Sequence, residues 1–140
     1  MKLRHLYITV ILFLITVSAI SQETKNKKVY TTHRIAGEAP VIDGLIDQNI
    51  WDIVEWSDGF IQRSPNDGEA PSQKTAFKIL YDDDNLYVLV RAFDTDPEKI
   101  VKRMSRRDGF DGDWIEINID SYFDKRTAFS FTASVSGVKI

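Results

Sequence analysis

Hydrophobic residues recur at every second position through much of the second half of this chain, the spacing that turns one face of a β-strand toward a core. The clearest case is a hairpin. Phe77, Ile79 and Tyr81 alternate with Lys78 and Leu80, Asp82-Asp83-Asp84-Asn85 makes the connection, and Leu86, Val88, Val90 and Ala92 alternate with Tyr87, Leu89, Arg91 and Phe93. Trp114–Asp120 and Arg126–Val135 read as two further strands, and Val29–Ala36 as a first one. Helical spacing is confined to two short stretches. After a turn at Asp43-Gly44, Asp47 is positioned as a cap, and Ile46, Ile50, Trp51 and Val54 recur at intervals of three and four, which predicts a short helix with Trp51 in the core. Asp96-Pro97-Glu98 starts a second helix to Met104, with Ile100, Val101 and Met104 inward. Runs of strands with two short helices, and no repeated strand-helix-strand unit, predict an all-β fold: an antiparallel β-sandwich of jelly-roll or immunoglobulin-like type.

The N-terminus follows a different pattern. Lys2 and Arg4 precede an unbroken apolar run from Leu6 to Val17, which closes on Ala19-Ile20-Ser21. The run is shorter than the roughly 20 residues a membrane span needs, and a Lys-rich polar stretch follows, so residues 1–21 are expected to be a signal peptide cleaved before Gln22. Residues 22–33 then form a flexible lead-in and the start of the first strand, and 34–140 the folded module. Export to the periplasm, outer membrane or extracellular space follows. The chain contains no cysteine, so neither disulfides nor an N-terminal lipid anchor enters the picture. Strand-like alternation continues to Val138-Lys139-Ile140, which predicts that the module is truncated at its C-terminus and belongs to a larger protein.

Charge narrows the partners. Removing residues 1–21 takes away two of the eighteen Lys and Arg and none of the twenty-one Asp and Glu, moving the formal charge from -3 to -5. Nucleic acid is therefore not expected as a partner, and the basic group Lys102, Arg103, Arg106 and Arg107 is met at once by Asp108, Asp111 and Asp113. The three aspartates of the hairpin connection raise calcium, but Asp and Asn stabilise tight turns through their own backbone bonds and the EF-hand ligand spacing is missing. No GxSxG elbow, HExxH motif or cysteine nucleophile is present, and His33, outside the signal, reads as a surface residue on an edge strand. Asp111, Asp113, Glu116 and Asp120 hold the carboxylates a glycosidase pair needs, but acids on one strand face are commonplace, so no catalytic residue is assigned.

Sorting the last two strands by face gives the candidate site. Ile115, Ile117 and Ile119 share one side of their strand, leaving Trp114, Glu116, Asn118 and Asp120 on the other; Phe129, Phe131, Ala133 and Val135 lie opposite Ser130, Thr132 and Ser134. If the two strands pair, an indole, carboxylates, an amide and hydroxyls share one exposed surface, to which Tyr87 and Arg91 are expected to add. Sugars present C–H faces that stack on flat rings and hydroxyl rims that pair with carboxylates, amides and guanidinium groups. Trp114, Glu116, Asn118, Arg91 and Tyr87 are the predicted carbohydrate-binding residues.

Three blocks, Ala39–Asp47 with Trp51, Ile79–Val88 ending at Asp94, and Asp113–Asp120, occur in the order found in the family 9 carbohydrate-binding modules, which the chain resembles from Arg34 to Ile140. The string Asp120–Phe131 with Gly137-Val138-Lys139 is similar to a subgroup at the N-termini of large exported Bacteroidota proteins, whose C-terminal part is an uncharacterised, β-barrel-like region. The resemblance implies a jelly-roll sandwich that binds polysaccharide or oligosaccharide without catalysis, often with structural calcium, attached to glycoside hydrolases. It matches Asp43, Gly44, Asp47, Trp51, Tyr81, Asp94, Glu116 and Asp120 to the family's scaffold. Trp114 stands where family members usually carry a small residue, so its part as a platform comes from the strand-face sorting. Two alternatives accompany this expectation: a structural domain packing on an outer-membrane-type region, and the accessory domain of a glycoside hydrolase active in carbohydrate catabolism.

Overall fold

The computed structural model describes residues 27–46, 49–104, 109 and 111–140. The signal peptide, residues 22–26 of the lead-in, the Asp47 cap and the Arg106-Arg107-Asp108 stretch lie outside the described residues. Two units are distinguished, Met1–Thr32 and His33–Ile140. In the first, residues 27–32 carry no helix or strand. The second holds every strand among the described residues: β1 (His33–Arg34), β2 (Thr75–Tyr81), β3 (Leu86–Ala92), β4 (Trp114–Ile119) and β5 (Phe129–Ser134). The described fold is all-β. The expected strand Val29–Ala36 shrinks to β1, which lies parallel to β2 with His33 opposite Leu80.

One sheet has the order β1-β2-β3. Its centre is the expected hairpin, antiparallel from Thr75 opposite Ala92 to Tyr81 opposite Leu86. The turn is built by Asp82. One oxygen of its carboxylate accepts the backbone N–H groups of Asp84 (2.8 Å) and Asn85 (2.6 Å), and the other accepts the Tyr87 phenol (2.6 Å). Those donors, the phenol foremost, hold the Asp82 carboxyl down from its ordinary 3.8 to about 2. A depressed carboxyl contributes stability that is complete above its unfolded value and lost as pH falls through the folded one. Amide exchange protection at Asp84 and Asn85, read by NMR, is therefore expected to hold at pH 5 and to fail as the solution is taken from about pH 4 toward 2; a flat profile through that window would remove the role given to Asp82.

Alternation gives this sheet two apolar faces. Ala76, Lys78 and Leu80 are buried on one, where Leu80 joins Ile35, Trp51 and Val54 in the core with Ile50, Tyr87 and Leu89 packed around it. Lys78 lies within this face because its ammonium donates to the Trp51 carbonyl at 2.6 Å and sits 5.1 Å over the Trp56 ring. On the other face Val88, Val90 and Ala92 border a cavity of about 530 Å³, shared with Ile115, Ile117 and Phe131 of the second sheet.

Both predicted helices are 3-10 turns instead. Asn49–Ile53 replaces the first. A period of three brings Trp51 and Val54 to the same side, each 4% exposed, while Ile46 and Ile53 stay outside the core. The second is only Pro97–Lys99, and Asp96 makes no side-chain cap. Extended backbone at Ile100 ends it, and the Val101 N–H and carbonyl turn to Asp113. Pairing across the chain thus displaces the helix, leaving Val101 and Met104 exposed rather than inward.

Candidate functional site

The second sheet pairs β4 with β5 in an antiparallel register: Trp114 with Ser134, Glu116 with Thr132, Asn118 with Ser130. The isoleucines pair instead with Ala133, Phe131 and Phe129, so the two strands sort into the expected faces. Which pairs approach most closely follows from the backbone. Thr132 exchanges both of its bonds with Ile140, at 2.9 and 3.0 Å, and the Ser134 N–H reaches Val138, so these residues point their backbone groups away from β4. Trp114/Ser134, Glu116/Thr132 and Asn118/Ser130 are thus the non-hydrogen-bonded pairs, whose side chains stand closer together than those of the alternate pairs.

Trp114 is 51% exposed, with Glu116 and Asn118 exposed beside it. Among the hydroxyls, Ser130 donates to the Asn118 side-chain oxygen. Ser134 is occupied elsewhere: its oxygen accepts the Val138 N–H at 3.1 Å and lies 2.8 Å from the Ser136 hydroxyl. The face therefore carries an indole, a carboxylate and an amide held from one side.

The entry into β4 is tied down by three hydrogen bonds to two segments. The Asp113 carboxylate accepts the Val101 N–H (2.9 Å), its own N–H donates to the Val101 carbonyl (3.2 Å), and its carbonyl accepts the Val135 N–H (3.0 Å). Just before it, Gly112 has φ +136, and a Cβ there would meet the Val101 oxygen at 2.3 Å. Gly112→Ala is expected to cost about 1–3 kcal/mol through that clash and the left-handed backbone, measured by urea unfolding. An unchanged midpoint would show that this entry is loose.

Tyr87 and Arg91 are not brought to this face. Both lie on β3, on the side of the first sheet that carries Leu80 and Lys78, whereas the β3 side chains that border the cavity shared with β4 and β5 are Val88, Val90 and Ala92. Tyr87 is packed on the core with its phenol committed to Asp82, which raises its pKa above the ordinary value, and the Arg91 guanidinium lies 4.8 Å from the Phe93 ring. Sequence alternation defines a face within a strand but not which sheet that strand joins, hence the separation.

Asp111 pairs with the Arg103 guanidinium at 2.9 Å, while Asp120 and Asp124 organise backbone. Asp120 accepts the N–H groups of Asp124 (3.1 Å) and Lys125 (2.9 Å), and Asp124 accepts those of Arg126 and Thr127 and the Thr127 hydroxyl, which lowers its pKa. Among the described residues no group of three or more histidine, aspartate or glutamate side chains is disposed to hold a metal ion. Nor, among them, is any helix long and apolar enough to cross a membrane.

A family model described as carbohydrate family 9 binding domain-like matches residues 42–137. The chain belongs to this family. No curated protein and no solved structure matches it. In this family 9-like domain the matched span begins at the Asp43-Gly44 turn, contains the Trp51 core and the β2–β3 hairpin, and closes on the turn after β5, so the exposed face of β4 and β5 lies wholly inside it.

Proposed function

We propose that this domain is a non-catalytic module that binds polysaccharide or oligosaccharide on the outer face of β4 and β5, with Trp114 as the stacking platform and Glu116 and Asn118 as hydrogen-bonding partners of sugar hydroxyls. One observation carries the reading: the register brings a half-exposed indole, a carboxylate and an amide onto one strand face at two-residue intervals. Family membership supports the saccharide as the partner class. The two sheets act as halves of a β-sandwich, a reading supported by the apolar cavity that β3 shares with β4 and β5. The module is exported by the signal-like Met1–Ser21 and serves as a recognition domain of a larger envelope protein in carbohydrate catabolism. Arg91 and Tyr87 support the first sheet and take no part in the site. Calorimetric titration of the chain and of Trp114→Ala with neutral xylan- and glucan-derived oligosaccharides is the test; equal binding by both, or none by the parent, would end the reading.

A second reading rests on a different face. Phe129 and Phe131 are each 55% exposed and Val135 48%, an apolar row that stays incompletely covered even where Phe131 and Val135 border the cavity shared with β3, and that fits a structural domain packing on another part of the protein. The same titration separates the two, since that role requires no affinity for sugar.

A further inference from the structure

We infer that Ser130 is a positioning residue of the saccharide site, fixing the side-chain amide of Asn118 so that its NH2 group is presented outward; this inference rests on the reading of the β4–β5 face given above. A primary amide has two ends of opposite character, an acceptor oxygen and a donor nitrogen, and a free rotor presents either. Here the choice is made by the neighbouring strand. Asn118 and Ser130 are directly opposite in a non-hydrogen-bonded pair, the close-approach kind, and the Ser130 hydroxyl donates to the Asn118 oxygen. With the oxygen held laterally, the nitrogen is left for a ligand.

The consequence is a complementary pair. Glu116, two residues earlier on the same face, offers only acceptors when ionised, and Asn118 in the fixed orientation offers donors. A sugar ring carrying neighbouring hydroxyls, each both donor and acceptor, satisfies both at once, while the indole of Trp114 takes a C–H face. An amide free to flip would present its oxygen part of the time, next to the acceptor already supplied by Glu116. Ser130 thus acts on affinity through Asn118 without touching the sugar itself.

Binding of neutral oligosaccharide by the full chain and its variants, together with the Asn118 side-chain NH2 signals in the 15N NMR spectrum, tests the assignment. Ser130→Ala is expected to weaken binding about threefold to tenfold, the worth of one ordinary hydrogen bond, and to shift the Asn118 NH2 pair. Ser130→Thr, which keeps the hydroxyl on a residue suited to a strand, is expected to restore both. Asn118→Asp, which keeps an oxygen for Ser130 but removes the outward donor, is expected to bind at least as weakly as Ser130→Ala. Should Trp114→Ala abolish binding while Ser130→Ala changes neither affinity nor the Asn118 signals, the positioning role is overturned and the saccharide site stands. A parent chain that binds no sugar overturns both. Backbone amide dispersion in each variant separates a local effect from unfolding.

Discussion

Leu80→Ala is expected to lower the unfolding free energy by about 3 kcal/mol, the middle of the range for emptying a fully enclosed leucine site. Leu80 is the one large side chain with no exposure among the described residues, and it lies at the centre of Ile35, Trp51 and Val54. Three segments far apart in the chain meet on it: the residue after β1, the 3-10 turn and β2. Removing three side-chain carbons there forfeits their transfer energy and leaves a void that Lys78 cannot fill, because its ammonium is committed to the Trp51 carbonyl. A domain of this size holds only about 5–10 kcal/mol in all, so the melting temperature should fall by roughly 10–20 °C in a thermal scan. Leu80→Met, close in volume, should cost less than about 1.5 kcal/mol. A small effect from Leu80→Ala would mean that the cluster is not the principal core.

The contrast between Leu80 and its neighbours also marks how far the sequence could be read. Period-two alternation located β2, β3, β4 and β5 and sorted the side chains of β4 and β5 into the two sets that pair across the strands; in β4 the isoleucines are the better covered set, whereas in β5 Phe129, Phe131 and Ala133 are exposed and Thr132 and Ser134 half-buried. The hairpin is less simple. Both parities of β2 and β3 are apolar, so alternation alone could not tell that the Lys78 and Leu80 side is the better buried one. A lysine normally argues for solvent; here a backbone carbonyl and an indole ring take up its charge. The two short helices failed for a shared reason. Each segment is only about a turn long, too short for helical hydrogen bonding to outweigh competing contacts, and tertiary pairing decided its form. Tyr87 and Arg91 were misplaced because sheet membership is a long-range property. Trp114, Glu116 and Asn118 were legible since their grouping depends only on one strand's pleat and its pairing with the next.

Trp114→Ala is expected to reduce affinity for neutral oligosaccharides by about thirtyfold or more, which corresponds to roughly 2 kcal/mol and to the class of tryptophan that dominates a small interface. The ring is half-exposed in the chain itself, so a stacked sugar covers apolar surface that folding has left in water. Its cost in order is low. A tryptophan has two side-chain torsions, and the backbone beneath it is tethered through Asp113 to Val101 and Val135, so little freedom remains to be lost on binding. Stability should fall by less than in Leu80→Ala, because the indole is half-exposed where Leu80 is fully enclosed, and this separates the two variants. Charge supplies a second arm to the measurement. β4 and β5 between them carry one acidic side chain, Glu116, and no lysine or arginine, so uronic-acid oligosaccharides are expected to bind more weakly than neutral ones of equal length. Equal affinity for the acidic series would place the sugar away from Glu116, and an unaltered constant for Trp114→Ala would take the indole out of the site altogether.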